Sequence, residues 1–202
     1  MAEQSLGEAD LDPDPVRQFQ RWYAEAHESG EREPDAMALA TVGSDGAPSV
    51  RFVLLKAVDE NGFVFYTNWQ SRKGRQIAVN SKAAIVFRWG LLNRQVRVEG
   101  VATRMDAPVS DAYFASRPRP AQLGAWASAQ SEPVPGRAEL DEHLEVVTAR
   151  FAGREVPRPP WWGGYRLVPR EYEFWVGRSD RLHDRFQYYR EGGSWARRRL
   201  NP

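Results

Sequence analysis

The chain of 202 residues contains no cysteine. Disulfides, thiolate metal sites, iron–sulfur clusters and a cysteine nucleophile are therefore excluded. Histidine is nearly absent too: His27, His143 and His183 stand far apart, with no H-E-x-x-H or paired-carboxylate spacing, so no metal site is expected. No apolar run approaches the roughly 18 residues that a membrane span requires. The start, Met1 to Asp14, is acidic and lacks a basic-then-apolar pattern, so a secretory signal is not expected and the cytoplasm is the default compartment. The glycine-rich phosphate loops G-x-x-x-x-G-K-[ST] and G-x-G-x-x-G are missing, as is the G-x-S-x-G elbow of serine hydrolases. Any phosphorylated ligand must then be held by arginine, lysine, hydroxyls and backbone groups. Net charge is +1, which gives no general pull toward nucleic acid or membrane.

What is present is arginine and aromatic rings. Of 28 basic residues only Lys56, Lys73 and Lys82 are lysine. Eight tryptophans and nine phenylalanines provide either a large core or surfaces that stack on a planar ligand. Residues 1–13 read as a polar, disordered tail, and residues 14–202 as one domain. Asp14-Pro15 caps a helix that carries Val16, Phe19, Tyr23 and Ala26 at helical spacing to about Ser29-Gly30. Strands are expected at 36–42, 50–58 and 63–67, a helix from Ser71 to about Asn80, and strands at 83–89 and 95–104. Helices follow at 106–116 and 121–128. A further amphipathic helix at 137–151 places Leu140, Leu144, Val147 and Phe151 on one face. The remaining strands are 165–168, 171–176 and 186–190, with 194–200 as a candidate fourth. Tight turns join most neighbouring strands, so the fold class is mainly β (α+β): an antiparallel, barrel-like sheet with peripheral helices.

Four segments hold candidate anion-binding groups. In Arg51-Phe-Val-Leu-Leu-Lys56, strand alternation puts Arg51, Val53 and Leu55 on one face and Phe52, Leu54 and Lys56 on the other. The cations either reach solvent or bind a ligand. Tyr66-Thr67 and Ser71-Arg72-Lys73 bring hydroxyls and two cations to a helix N-terminus, where cations are unfavourable unless an anion compensates them. Tyr113 and Arg117 share one face of a helix end, which is equally a favourable C-terminal decoration. Arg181, His183 and Arg185 alternate along one face of an extended segment; a lone histidine is usually structural, but one between two arginines is either pushed toward neutrality by like charge or needs an anion. The last three arginines, 197–199, read as a solvated face.

The chain resembles the pyridoxine/pyridoxamine 5'-phosphate oxidase family. The matching stretches are Arg51–Lys56, Val64-Phe-Tyr-Thr-Asn68, Ser71-Arg-Lys73, Arg94-Gln-Val96, Ser116-Arg-Pro-Arg119, Gln122-Leu-Gly-Ala-Trp-Ala127, Gln130-Ser131, Trp162-Gly-Gly-Tyr165, Glu173-Phe-Trp175 and Arg181-Leu-His-Asp-Arg185, collinear from about residue 14 to the end. The resemblance implies an FMN-binding split β-barrel working as a homodimer, with sites built from both subunits. It places FMN contacts on Arg51, Phe52, Val53, Leu54, Leu55, Lys56, Tyr66, Thr67, Arg72, Lys73, Gln95, Gln130, Ser131, Trp175 and Arg185. Substrate contacts fall on Lys56, Tyr113, Arg117, Arg181, Leu182 and His183, with Arg181 and His183 in the catalytic role. The implied reaction oxidises pyridoxine or pyridoxamine 5'-phosphate to pyridoxal 5'-phosphate. Oxygen is the acceptor, peroxide is released, and the amine yields ammonia. Two departures stand out. A serine common in the family four positions after Arg117 is Ala121 here, and an N-terminal Arg-Arg/Lys-x-Tyr lid pattern is not seen. A phenazine-biosynthesis-type flavin oxidase and a non-catalytic flavin or pyridoxal-phosphate carrier are the rival readings.

Overall fold

The computed structural model describes residues 5–202. Helix α1 (Pro15–Glu28) starts where Asp14 accepts the Val16 N–H at 2.9 Å and Pro15 occupies the first turn. Its Phe19, Trp22 and Ala26 are fully or almost fully buried against the sheet. The strands are β1 (Ala36–Val42), β2 (Pro48–Leu54), β3 (Ala57–Asp59), β4 (Gly62–Asn68), β5 (Lys82–Trp89), β6 (Arg94–Arg104), β7 (Trp162–Val176), β8 (Asp184–Glu191) and β9 (Ser194–Arg199). Helix α2 (Arg72–Val79) follows β4. Helices α3 (Ala107–Ser116), α4 (Arg119–Ala127) and α5 (Arg137–Arg150) lie between β6 and β7.

Every strand pairing is antiparallel, in the order β2-β1-β5-β6-β7-β4-β3, with β8 on β7 and β9 on β8. The sheet does not close on itself; β2 and β3 end the main path. This is the split antiparallel barrel with peripheral helices that the turn pattern and the resemblance anticipate. Its core is aromatic: Phe19, Phe63, Phe87 and Trp89 interlock at centroid distances of 4.8–6.2 Å.

Four expectations change. Strands 165–168 and 171–176 are one strand, β7. Its first half pairs with β4 and its second with β8, while β6 follows it throughout. Pro169 sits at the changeover, paired with Gly100 and next to a β7 bulge in which Arg170 is the extra residue; proline is tolerated at such bulges. The expected strand 50–58 is broken at Leu55-Lys56. There the chain leaves β1 and joins β4: Leu55 N–H bonds Asp35 O at 2.9 Å and Lys56 N–H bonds Val64 O at 2.8 Å. Helix α5 is present, but its expected apolar face is poorly covered: Leu144 is exposed and only Phe151, just past its end, is buried.

The fourth change is the tail. Residues 1–4 lie outside the described residues, but Ser5 to Pro13 is not an unstructured segment. Leu6 and Leu11 are buried in the main core, around a short 3-10 turn at Glu8–Asp10. Arg197 reaches Leu11 O and Arg199 reaches Leu6 O, so these two arginines hold the segment instead of forming a solvated face.

Candidate active site

The strand β4 and the turn after it deliver Tyr66, Thr67 and Ser71 to one place. Ser71 caps α2 by accepting the Gly74 N–H, and Lys73 in the first helical turn folds back beside it. Lys73 is buried at 8% exposure. Its Nζ donates to Thr67 Oγ1 and Gln130 Oε1 at 3.2 Å each and to Ser71 Oγ at 3.4 Å. No carboxylate pairs with it among the described residues. Burial, then the nearby Arg51, pushes its pKa down to about 8. Arg51 is also held by neutral partners: Thr41 Oγ1 at 2.6 Å, Ser49 Oγ and Leu39 O. Burial and the neighbouring Arg72 lower its pKa. Three cations thus gather without an acid, which is costly unless an anion joins them.

Tyr66 stacks on Tyr113 from α3 at 3.8 Å and 13°, and Trp162 at the start of β7 continues the stack at 5.5 Å from Tyr66. Arg117 lies over Trp162, 4.7 Å from its centroid. Its Nη1 is buried with no hydrogen-bond partner, and burial lowers its pKa. Such a nitrogen carries an unrecovered desolvation cost of about 1–3 kcal/mol, more for a charged group.

A cavity of about 510 Å³ joins the Lys73 and Arg117 groups, although Arg51 and Ser71 do not line it. Among its lining are Phe52, Val53, Leu54, Lys56, Tyr66, Thr67, Lys73, Tyr113, Arg117 and Gln130, together with Ala121 and Trp162. Leu55 instead points into the core, and Arg72 is exposed at the start of α2. The donor set suits a planar phosphorylated ligand: aromatic faces, two poorly compensated cations, hydroxyls and an amide. Thr41 and Gln76 were not singled out from the sequence, and Trp162 was noted only as part of a matching stretch, without a role in the site. Thr41 and Gln76 are buried polar residues joined at 2.6 Å, and they anchor Arg51 by hydrogen bonds. Their only sequence signal is a polar residue inside an apolar pattern.

Four of the remaining expected residues, Gln95, Trp175, His183 and Arg185, form a second cluster, joined by Arg88. Arg88, Gln95, Trp175 and Arg185 lie opposite one another across β5, β6, β7 and β8, so their side chains share a face. His183 packs 4.7 Å from Trp175. Arg185 differs from Lys73 in having its own acid: it bonds the buried Glu173 at 2.8 Å, and this bond raises its pKa. None of Gln95, Ser131, Trp175, Arg181, Leu182, His183 or Arg185 lines the cavity. The expected alternation of Arg181, His183 and Arg185 along an extended segment is corrected. Only Arg185 is in a strand, and Arg181 adopts a left-handed turn conformation, φ 68°. The turn bonds Arg181 N–H to Arg178 O, which sets the path to His183.

Among the described residues no helix is long and apolar enough to cross a membrane, and no group of His, Asp and Glu could hold a metal. Residues 23–151 match a family described as pyridoxamine 5'-phosphate oxidase. Residues 162–202 match the pyridoxine 5'-phosphate oxidase C-terminal dimerisation region. A pyridoxine/pyridoxamine 5'-phosphate oxidase of Rubrobacter xylanophilus is 59% identical over 98% of this chain and 91% of its own length. One from a Cyanothece species is 50% identical over 99% and 94%. Among solved structures, PhzG from Burkholderia lata, in complex with tetrahydrophenazine-1-carboxylic acid, superposes with a TM-score of 0.93 at 35% identity, covering both chains fully. A pyridoxamine 5'-phosphate oxidase-related, FMN-binding protein from Nostoc punctiforme shares the fold at TM-score 0.73 and 18% identity, over 95% of this chain and all of its own. The chain belongs to the FMN-dependent pyridoxamine 5'-phosphate oxidase family.

Proposed function

We propose that the protein oxidises pyridoxine 5'-phosphate and pyridoxamine 5'-phosphate to pyridoxal 5'-phosphate, with oxygen as acceptor. The observation that carries this reading is Arg117: a buried guanidinium nitrogen without a partner, over Trp162 and beside Tyr113, on a cavity that also holds Lys73. The two cationic ends suit two anionic tails. Arg51, Arg72 and Lys73 would hold the phosphate of FMN, with Thr67 and Gln130 beside them. Lys56, Tyr113 and Arg117 would hold the phosphate of the substrate. The bound flavin supplies hydride acceptance and reoxidation by oxygen. The protein's part is alignment: two gripped phosphates fix two flat rings relative to each other, which is the proximity contribution. Ala121 on the cavity wall offers no hydroxyl, so the substrate phosphate depends more on Arg117.

Arg181 and His183 would cover the substrate ring and hold its polar substituents. Since they do not line the cavity of their own chain, the reading has them complete the site of the partner in a homodimer, in keeping with the dimerisation region matched at 162–202. The cytoplasm is the compartment assigned.

The test is purification followed by one assay. Flavin absorbance and peroxide release on adding pyridoxine 5'-phosphate are expected. Colourless protein, or yellow protein that releases no peroxide with either substrate, would remove the proposal. A phenazine-type oxidation is the second reading, favoured by the full-length superposition on PhzG. Turnover of tetrahydrophenazine-1-carboxylic acid without turnover of the phosphorylated pyridines would select it.

A further inference from the structure

His183 lies in the loop between β7 and β8, and its Nδ1 accepts the backbone N–H of Arg178 at 3.0 Å. A backbone amide can only donate, so the lone pair is on Nδ1 and the neutral ring carries its proton on Nε2. The ring is thus a donor at Nε2, held from one side by Trp175. This depends on the path of the loop. Within it, Leu182 N–H bonds Asp180 Oδ1 at 2.9 Å and Arg178 Nε lies 3.6 Å from the same carboxylate.

Asp184, next to His183, ties the loop to both distant parts of the chain. It is buried at 7% exposure, accepts the Leu6 N–H at 3.0 Å, pairs with Arg199, and stands 3.8 Å from Arg178 Nη1. Arg199 also donates to Leu6 O at 3.0 Å, closing the ring of contacts. Burial alone would raise the Asp184 carboxyl. The Leu6 N–H, Arg199 and Arg178 outweigh it and keep the group below the usual carboxylate range.

We propose that Asp184 is a positioning residue: by joining Leu6, Arg178 and Arg199 it keeps the Arg178 N–H on His183 Nδ1 and so fixes His183 as the Nε2–H donor. Resting on the reading of His183 as a substrate contact, this gives the imidazole a definite job. It donates to an acceptor on the substrate, such as the ring oxygen of a hydroxypyridine, and does not take a proton at Nε2.

Nitrogen-15 NMR of histidine-labelled holoenzyme tests this, because only three histidines contribute. His183→Asn identifies the signal. Above the ring's titration, wild-type protein should show the Nε2–H pattern for His183. Asp184→Asn should shift it toward mixed tautomers, leave His27 and His143 unmoved, keep flavin content, and lower kcat/KM by about tenfold to a hundredfold through misplacement. Arg199→Gln, which leaves Asp184 its other partners, should change the same signal in the same direction by less, and it serves if Asp184→Asn does not fold. An Nδ1–H pattern in wild-type protein, or an unaltered His183 signal in both variants, would overturn the assignment. Should the wild-type protein fail to oxidise either phosphorylated pyridine, the functional reading falls while the tautomer pattern still decides the role of Asp184.

Discussion

Lys73 carries the clearest consequence at the scale of a single residue. Its folded pKa of about 8 lies below the ordinary lysine value of 10.5. Between these values the unfolded chain binds more protons, so the flavin-free protein gains stability as pH rises from about 8. An anion reverses the preference, because it favours the ammonium form. FMN or inorganic phosphate should therefore bind best below pH 8 and more weakly as pH rises through it, with uptake of up to one proton. Titration calorimetry in buffers of different ionisation heat would show this, and a pH-independent affinity from pH 7 to 10 would contradict it. Arg117→Met should act in two directions. It removes a buried nitrogen that has no partner, so the substrate-free protein should melt no lower than wild type. The loss of a charge-assisted hydrogen bond of about 1.5–3 kcal/mol should raise KM for pyridoxine 5'-phosphate by roughly tenfold to a hundredfold. The cations at the α2 N-terminus were legible because they violate the dipole rule. Trp162 was not, since an aromatic beside two glycines reads equally as core.

Elements were legible wherever a turn or cap marks them, as at Asp14-Pro15 for α1 and Asp59 to Gly62 between β3 and β4. They were not where tertiary pairing overrides a local break. Pro169 looks like the end of a strand, yet β7 runs through it because Arg170 is looped out as the extra residue of a bulge, which lets the pairing with β6 resume at Glu171. The converse holds at Leu55-Lys56, where an unbroken apolar pattern hides a change of partner. Gly100 belongs to the bulge for a steric reason: a Cβ there would lie 2.2 Å from Val168 O. Gly100→Ala should thus destabilise the protein by about 1–3 kcal/mol, seen as a lower melting temperature at unchanged flavin stoichiometry. A melting temperature equal to wild type would mean that the bulge relaxes freely. The tail was misread because Leu6 and Leu11 are isolated leucines in a polar, acidic stretch, and their docking partners are nearly a whole chain away.

The whole molecule divides its chemistry into two groups of residues that one chain does not join in one cavity. Val50, Phe52 and Leu54 share one apolar face of the edge strand β2, and Phe52 is 77% exposed. An exposed apolar edge of this kind calls for a cover; Phe52 and Leu54 also line the cavity, so bound ligand and a second subunit are both expected to contribute to it. Mixing an Arg117→Met homodimer with a His183→Asn homodimer, under conditions that exchange subunits, tests the division. If each site takes Arg117 from one chain and His183 from the other, half the molecules gain one intact site, and roughly a quarter of wild-type activity should return. No recovery after proven exchange would place both residues in one subunit's site. Pattern and charge could locate both groups, but do not say whether they meet across a two-fold axis; only the family resemblance implies sites built from both subunits. One contact has a practical use. Arg199 touches Leu6, 193 positions earlier in the chain. A short peptide splice joining those two regions, with new ends cut at the exposed turn around Gly46, would reorder the gene while leaving the strand ladder whole, and would make a scaffold for circularly permuted variants.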